Sequence, residues 1–492
     1  MRAEGFCVAS CEHCGQHIEF PSSGAGMRVA CPHCGGETGL VAEAVPLPAE
    51  DERVTAAELK AGLEGVVPRC RISLFYQLGL LLVAGIMVLL PIAYLAFAAL
   101  AGYLVYWYAL HARRMLYDSP VSVHGLILRL VFYLGPIIGG MVAVFFMFKP
   151  LLARRRKPAE PLELNPAELP RVYQLIAHVS DLLRVRVPRR IWLDCELNAS
   201  AGFRRGLMSF LGRDLVVTIG LPLVAGLNTR QLAAVVAHEL GHCTQGLAMR
   251  LGYLIDRIDG WFARVVFERD TWDEALDEWD SSVDDWRLSL IVGCARFGVG
   301  FSRKVLTLLM LIGHAASCFL SRQMEYHADA CASEVAGSQG LESLLVRVQE
   351  LNVLAEMVHP TLRQLWQKRR QLPDSVPEFY EQMEQRLPPQ FHEEPHQTLL
   401  NETGGLLATH PTPAQRIQKA RQRGAAGIFA LEKPARGLFE NFAGTARLVT
   451  ARHYRQGWRL GVTDAMLKPA SEFFEEAPRK KLVVRVVGPA KS

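Results

Sequence analysis

The stretch Asn228-Thr-Arg-Gln-Leu-Ala-Ala-Val-Val-Ala-His238-Glu239-Leu-Gly-His242-Cys-Thr-Gln-Gly246 decides how the rest of this chain is read. Apolar residues recur through it at helical spacing. Asn228, with Gln231 three positions on, approximates a capping box, and Gly246 is placed to end the helix. A helix is therefore predicted over residues 229–245. His238 and His242 stand four residues apart, so they project from one face, one turn from each other. That is the separation at which two imidazoles can share one zinc ion. Glu239 lies beside the first histidine, where its carboxylate can take a proton from a water polarised by the metal and return it to a leaving amine. The alternative is two solvated histidines that match the spacing by chance. The flanking Val235-Val-Ala237 argues against it, because unliganded polar groups on a buried helix are costly.

A catalytic zinc needs a third protein ligand and one open position. Downstream, Ser321-Arg-Gln-Met-Glu325-Tyr-His327-Ala-Asp329-Ala-Cys331 places Glu325 and Asp329 four residues apart on one helical face. Glu325 can complete a His, His, Glu set, leaving Asp329 to orient a ligand histidine through its second nitrogen. His327 points off that face and reads as a surface or outer histidine. Cys243 and Cys331 read as small core residues.

Working outward, residues Ile72 to Leu110 form a run of 39 without a charged side chain. As one helix that is roughly 58 Å, longer than a hydrocarbon core of about 30 Å. Pro91 leaves open whether the run is one long helix or two halves. Leu130 to Phe148 gives 19 further uncharged residues, with Arg129 placed to snorkel. Both are expected to meet the lipid bilayer. Lys149, Arg154, Arg155, Arg156 and Lys157 follow the second run and form the heaviest basic cluster, which is expected on the cytoplasmic side. Two crossings would keep residues 1–70 on that side too, whereas three would separate the two ends.

The chain is 50% hydrophobic and 21% charged, with 54 Lys and Arg against 49 Asp and Glu. A net charge of +5 is too mild to argue for nucleic acid, and none is expected as a partner. Eleven cysteines are too sparse for a secreted disulfide scaffold, yet five fall in the first 34 residues. Cys11-Glu-His-Cys14 and Cys31-Pro-His-Cys34, separated by sixteen residues, fit a four-thiolate structural zinc site resembling a zinc ribbon. Gly15 and Gly35 permit the tight turns after each pair. Four sulfur ligands leave no open corner, so this second zinc would hold a fold and do no hydrolysis.

The organisation expected is a ribbon at 1–40, a linker at 41–71, a membrane region at 72–148, a globular domain at 160–430 and a tail at 431–492. Arg190–Asp194 and Asp214–Ile219 read as strands, as does Leu482–Val487 in the tail. Insertions are expected near 260–320 and 360–405. The first carries Trp272, Trp279 and Trp286 spaced by seven along an acidic stretch, one stripe of a helix that packs onto the domain. The apolar piece Val305–Leu320 has only 16 residues and contains His314, short of the roughly 20 that span a bilayer.

His238–His242 together with Glu325-Tyr-His-Ala-Asp329 resembles the gluzincin membrane metallopeptidases, the group that includes HtpX-type and CAAX prenyl endopeptidases. Asn198-Ala199-Ser200-Ala201 resembles the family's strand before the zinc helix, and Val216–Gly220 its next strand. Thr409-His410-Pro411 with Arg416-Ile417 resembles its C-terminal element. The resemblance implies an α+β, mainly α fold: a helical zincin-type domain with a small sheet, preceded by membrane helices and the ribbon. It implies His238, His242 and Glu325 as zinc ligands, Glu239 as general base and acid, and Asp329 behind the ligands. His410 and Arg416 would lie near the metal, Arg416 alternatively as a structural ion-pair partner, and Asn198, Ala199 and Ser200 would pair with extended substrate. The function expected is a multi-pass cell-membrane endopeptidase acting on proteins or peptides in membrane quality control. Processing of lipidated C-termini and a catalytically silent scaffold are the alternatives. The sequence gives no oligomeric state.

Overall fold

The computed structural model describes residues 6–10, 13, 17–21, 27–32, 34–39, 52–68, 74–117, 122–152, 162–164, 167–203, 215–244, 247–268, 278, 286–388, 391 and 410–475. At the amino terminus β1 (Phe6–Ser10) pairs antiparallel with β2 (His17–Pro21), and β3 (Arg28–Ala30) with β4 (Glu37–Gly39). Cys31 and Cys34 fall in the connection between β3 and β4. Gly35 takes φ +73° and donates its N–H to the Cys31 carbonyl at 2.9 Å, the tight turn expected after the pair. Cys11 and Cys14 lie outside the described residues, so the four-thiolate set is not displayed.

Residues 52–67, within the expected linker, pack on the globular domain. Helix α1 (Ala56–Gly62) opens on a Thr55–Glu58 capping box. Val54, Leu59, Leu63 and Val67 are buried in the main core, and Lys433 pairs with Glu58 at 2.8 Å. Helix α2 (Leu74–Ala112) runs through Pro91 without ending, which settles the question that residue posed. Helix α3 (Val123–Leu152) returns antiparallel to it. Tyr108 donates to the Phe132 carbonyl at 2.7 Å and Tyr133 to the Ala109 carbonyl at 3.0 Å.

The small sheet has the order β5 (Leu162–Leu164), β6 (Arg190–Asp194), β8 (Leu215–Gly220), β7 (Ala199–Phe203), with β6 and β8 parallel and the other pairs antiparallel. Among the described residues, strand β7 is therefore at an edge. Helix α4 (Pro170–Leu183) begins on Pro170, whose missing N–H costs nothing at a first turn, and covers the sheet with Val172, Leu175, Ile176 and Val179 buried. After the short α5 (Leu221–Gly226) comes α6 (Thr229–Cys243), which carries the Asn228–Gln231 capping box expected. It ends at Thr244 rather than at Gly246, which lies outside the described residues.

Helix α7 (Leu247–Phe267) leads towards α8 (Trp286–Arg369). Gly337, at φ +81°, interrupts α8. The Val335 carbonyl accepts from Ile428 and Phe429 at 3.0 and 2.9 Å, so the break leaves no orphan there. The first half of α8 passes through Arg296, Arg303 and Lys304 unbroken, so Val305–Leu320 is embedded in a much longer helix. Among the described residues, three helices are long and apolar enough to cross a membrane: Leu74–Leu116, Val123–Phe148 and a stretch within Val292–Arg369. The third corrects the expectation that this segment falls short. The chain is a membrane protein with a mainly helical α+β fold.

The stretch expected as an insertion at 360–405 belongs to the core as far as it is described. Leu362 lies near the end of α8, Leu372 in β9 (Leu372–Pro373) and Phe379 in α9 (Val376–Glu384), each at most 1% exposed. Helices α10 (Pro413–Arg423) and α11 (Phe442–Arg452) follow, and β10 (Leu467–Lys468) pairs parallel with β9, tying residues 431–475 to the domain. Trp272, Trp279 and Leu482–Val487 lie outside the described residues.

Candidate metal centre

The site exists because α6 and α8 approach closely. A Cβ at Gly241 would sit 3.0 Å from Ala328 Cα and 3.1 Å from Cys331 Cβ, so glycine at this position permits the contact. Cys331 is the small buried residue expected. The contact sets Glu325 opposite His238 and His242. His238 Nε2 lies 3.4 Å from Glu325 Oε2, and His242 Nε2 lies 4.0 Å from Oε1. One donor atom from each residue falls within 4.8 Å of the others, the single such group among the described residues. Zinc held at about 2.0–2.1 Å in a tetrahedron keeps its donors roughly 3.4 Å apart, so this His, His, Glu set fits that ion.

Behind the ligands, Asp329 Oδ1 lies 3.0 Å from His238 Nδ1, which places the proton there and frees Nε2 to face Glu325. Arg416 in α10 clamps that carboxylate with two bonds and approaches Glu325 Oε2 to 4.0 Å. Arg416 is thus both ion-pair partner and neighbour of the ligand set. His410 Nδ1 lies 3.2 Å from Glu325 Oε1, with its side chain 74% exposed, so it borders the centre from an open side. Thr409 lies outside the described residues. His327 turns away, its Nε2 2.9 Å from the Thr244 hydroxyl at the end of α6, in keeping with its expected outer position.

Charge is distributed unevenly. Burial alone would lower the His238 imidazole, but the hydrogen bonds with Asp329 and Glu325 outweigh it and hold it at about 9. Burial and the neighbouring His238 push His242 down to about 4. Burial raises Glu239, against the pull of His238. The pair of imidazoles therefore holds about one proton without metal, on His238.

Glu239 points to the sheet. Its Oε2 accepts from Ala201 N–H of edge strand β7 at 3.2 Å. Ala199 and Ser200 lie on the same strand, paired with Ile219 and Thr218, while Asn198 precedes it and accepts from Gly220 N–H at 2.8 Å. The bond from β7 to the carboxylate was not legible in the sequence, since nothing in the residues gives the register of an edge strand over a helix. Nor was a cavity of about 790 Å³ beside the centre, bordered by His242, Glu325 and His410 and reaching between α7 and α8. Asp256 and Asp259 line it, one turn apart on α7. That spacing was visible as a pattern, but not the space it faces.

Residues 194–424 match the model of peptidase family M48. The chain is 26% identical over 187 residues to a protein named Protease HtpX from Acinetobacter baylyi, covering 36% of this chain and 54% of that one. It is 25% identical over 214 residues to Protease HtpX from Stutzerimonas stutzeri, covering 43% and 60%. The chain thus spans a little over half the length of these relatives. A solved structure of S. mikatae Ste24p aligns over 65% of this chain and 62% of that one at 18% identity, with a TM-score of 0.23, too loose a superposition to carry an argument. The segment that matches this peptidase family contains both histidines, Glu239, Glu325, Asp329, His410 and Arg416.

Proposed function

We propose that this chain is an integral-membrane zinc endopeptidase that hydrolyses peptide bonds in membrane or misfolded proteins. The observation that carries the reading is the convergence of His238, His242 and Glu325, with Glu239 beside them and bonded to an edge strand. Zinc bound there would supply Lewis acidity for the scissile carbonyl and lower the pKa of the attacking water. Glu239, raised by its burial, takes the proton of that water and delivers it to the departing amine. Strand β7 offers its free edge to an extended peptide, with Ala201 next to the base. His410 and Arg416, which lie 3.2 and 4.0 Å from Glu325, would stabilise the charge that develops on the carbonyl oxygen.

The strap at 52–67 supports an even number of crossings by α2 and α3. It is buried in the same core as the domain that follows α3, so the chain leaves and re-enters on one side of the bilayer. The basic cluster after Phe148 supports the cytoplasmic side. On this reading the amino-terminal module, with Cys11, Cys14, Cys31 and Cys34 holding a structural zinc, shares that side. The test is Glu239→Gln: cleavage of membrane proteins is lost while zinc is retained. Identical fragments in membranes holding either form would refute the peptidase reading.

A further inference from the structure

The 790 Å³ cavity extends from the metal centre between α7 and the first half of α8. The opposite side of α7 is occupied: Ile255 and Phe262 pack with Leu80, Met87 and Tyr94 of α2. The cavity wall is largely apolar, with Phe267, Met310, Leu311 and Met324 contributing. Set into it are Asp256 and Asp259, and no lysine or arginine lines the cavity among the described residues. Asp259 Oδ2 accepts from the Ser317 hydroxyl at 3.3 Å, while Oδ1 is buried with no hydrogen-bond partner. Asp256 is exposed on the same wall. The two carboxylates, with His314, form no group tight enough for a metal ion, in contrast to His238, His242 and Glu325. A buried carboxylate oxygen without a partner costs free energy that an organic cation can recover.

We propose that this cavity is a substrate side-chain pocket selecting lysine or arginine close to the scissile bond. Its walls take the alkyl stem, and Asp256 and Asp259 meet the cationic head. The inference rests on the peptidase reading and adds to it the substrate class: segments with a basic residue beside the bond cut, such as the cationic flank of a membrane helix.

The experiment uses the full chain in detergent with zinc, and a peptide mixture randomised over the positions flanking a central bond. Cuts are mapped by mass spectrometry. Lysine and arginine are expected to be enriched about tenfold at one position, the size of one partly desolvated charge contact. Asp256→Asn should bring that enrichment towards one, Asp256→Glu should keep it, and Asp256→Lys should replace it by enrichment of glutamate and aspartate. A second readout needs no turnover. A fluorescein-labelled lysine peptide should bind the zinc-loaded Glu239→Gln chain about tenfold more tightly than its norleucine counterpart. Cleavage without basic enrichment, or equal binding of the two peptides, overturns the pocket and leaves the peptidase reading standing. Absence of all cleavage by the wild-type chain overturns the peptidase reading itself.

Discussion

Arg416 grips Asp329 through two parallel bonds, Nε to Oδ2 at 2.8 Å and Nη2 to Oδ1 at 2.6 Å, and Asp329 in turn holds His238. Three elements distant in sequence thereby fix the orientation of one metal ligand. The planar guanidinium makes this geometry and a lysine cannot. Arg416→Lys and Asp329→Asn should each weaken zinc binding roughly 10–100-fold. Competition against a chelator of known affinity measures it. Unaltered affinity in both variants would show that the clamp serves stability alone.

Glu239→Gln keeps the size of the side chain and removes its basicity. Peptide hydrolysis should fall roughly 10²–10⁴-fold with zinc content unchanged. Removing zinc with a chelator should abolish hydrolysis reversibly, and metal analysis separates the two routes to an inactive protein.

Zinc binding should release about one proton near pH 7.5, because His238 without metal sits at about 9 while His242, at about 4, is already neutral. A raised pKa makes the proton a stronger competitor as pH falls, so apparent zinc affinity should drop about tenfold per pH unit below about 9. Calorimetry in buffers of different ionisation enthalpy counts the proton. A pH-independent affinity between 6 and 8 would contradict the assigned charge on His238.

The break in α8 depends on a close backbone crossing. Gly427 has φ +74°, and a Cβ there would lie 2.1 Å from Gly337 N. Gly427→Ala should destabilise the domain by about 3 kcal/mol, or prevent its accumulation, through overpacking and a disfavoured backbone. Thermal unfolding in detergent reads the effect.

Val66 precedes α2 and is exposed, Tyr117 follows it and is exposed, and Val187 lies in the domain after α3. Single cysteines at 66 and 187 should react with an impermeant reagent from one side of the membrane and a cysteine at 117 from the other. Labelling of 66 and 187 from opposite sides would contradict the hairpin of α2 and α3.

Local rules made much of this protein legible in its sequence. The capping box and apolar spacing gave α6, the four-residue separation put two imidazoles on one face, and charge-free runs gave α2 and α3. The spacing from Glu325 put Asp329 behind the ligands, and resemblance added His410 and Arg416. These are matters of helical period and of hydration, which neighbouring residues decide among themselves. The tertiary structure decided what depends on distance in space. It closed the gap between Glu325 and the histidines through the contact at Gly241. It brought Ala201 to Glu239, turned 52–67 from a linker into core, and carried the Val305–Leu320 piece into a longer helix. It also opened the cavity that Asp256 and Asp259 face. A residue pattern fixes which face of a helix is polar, but only packing fixes what that face meets.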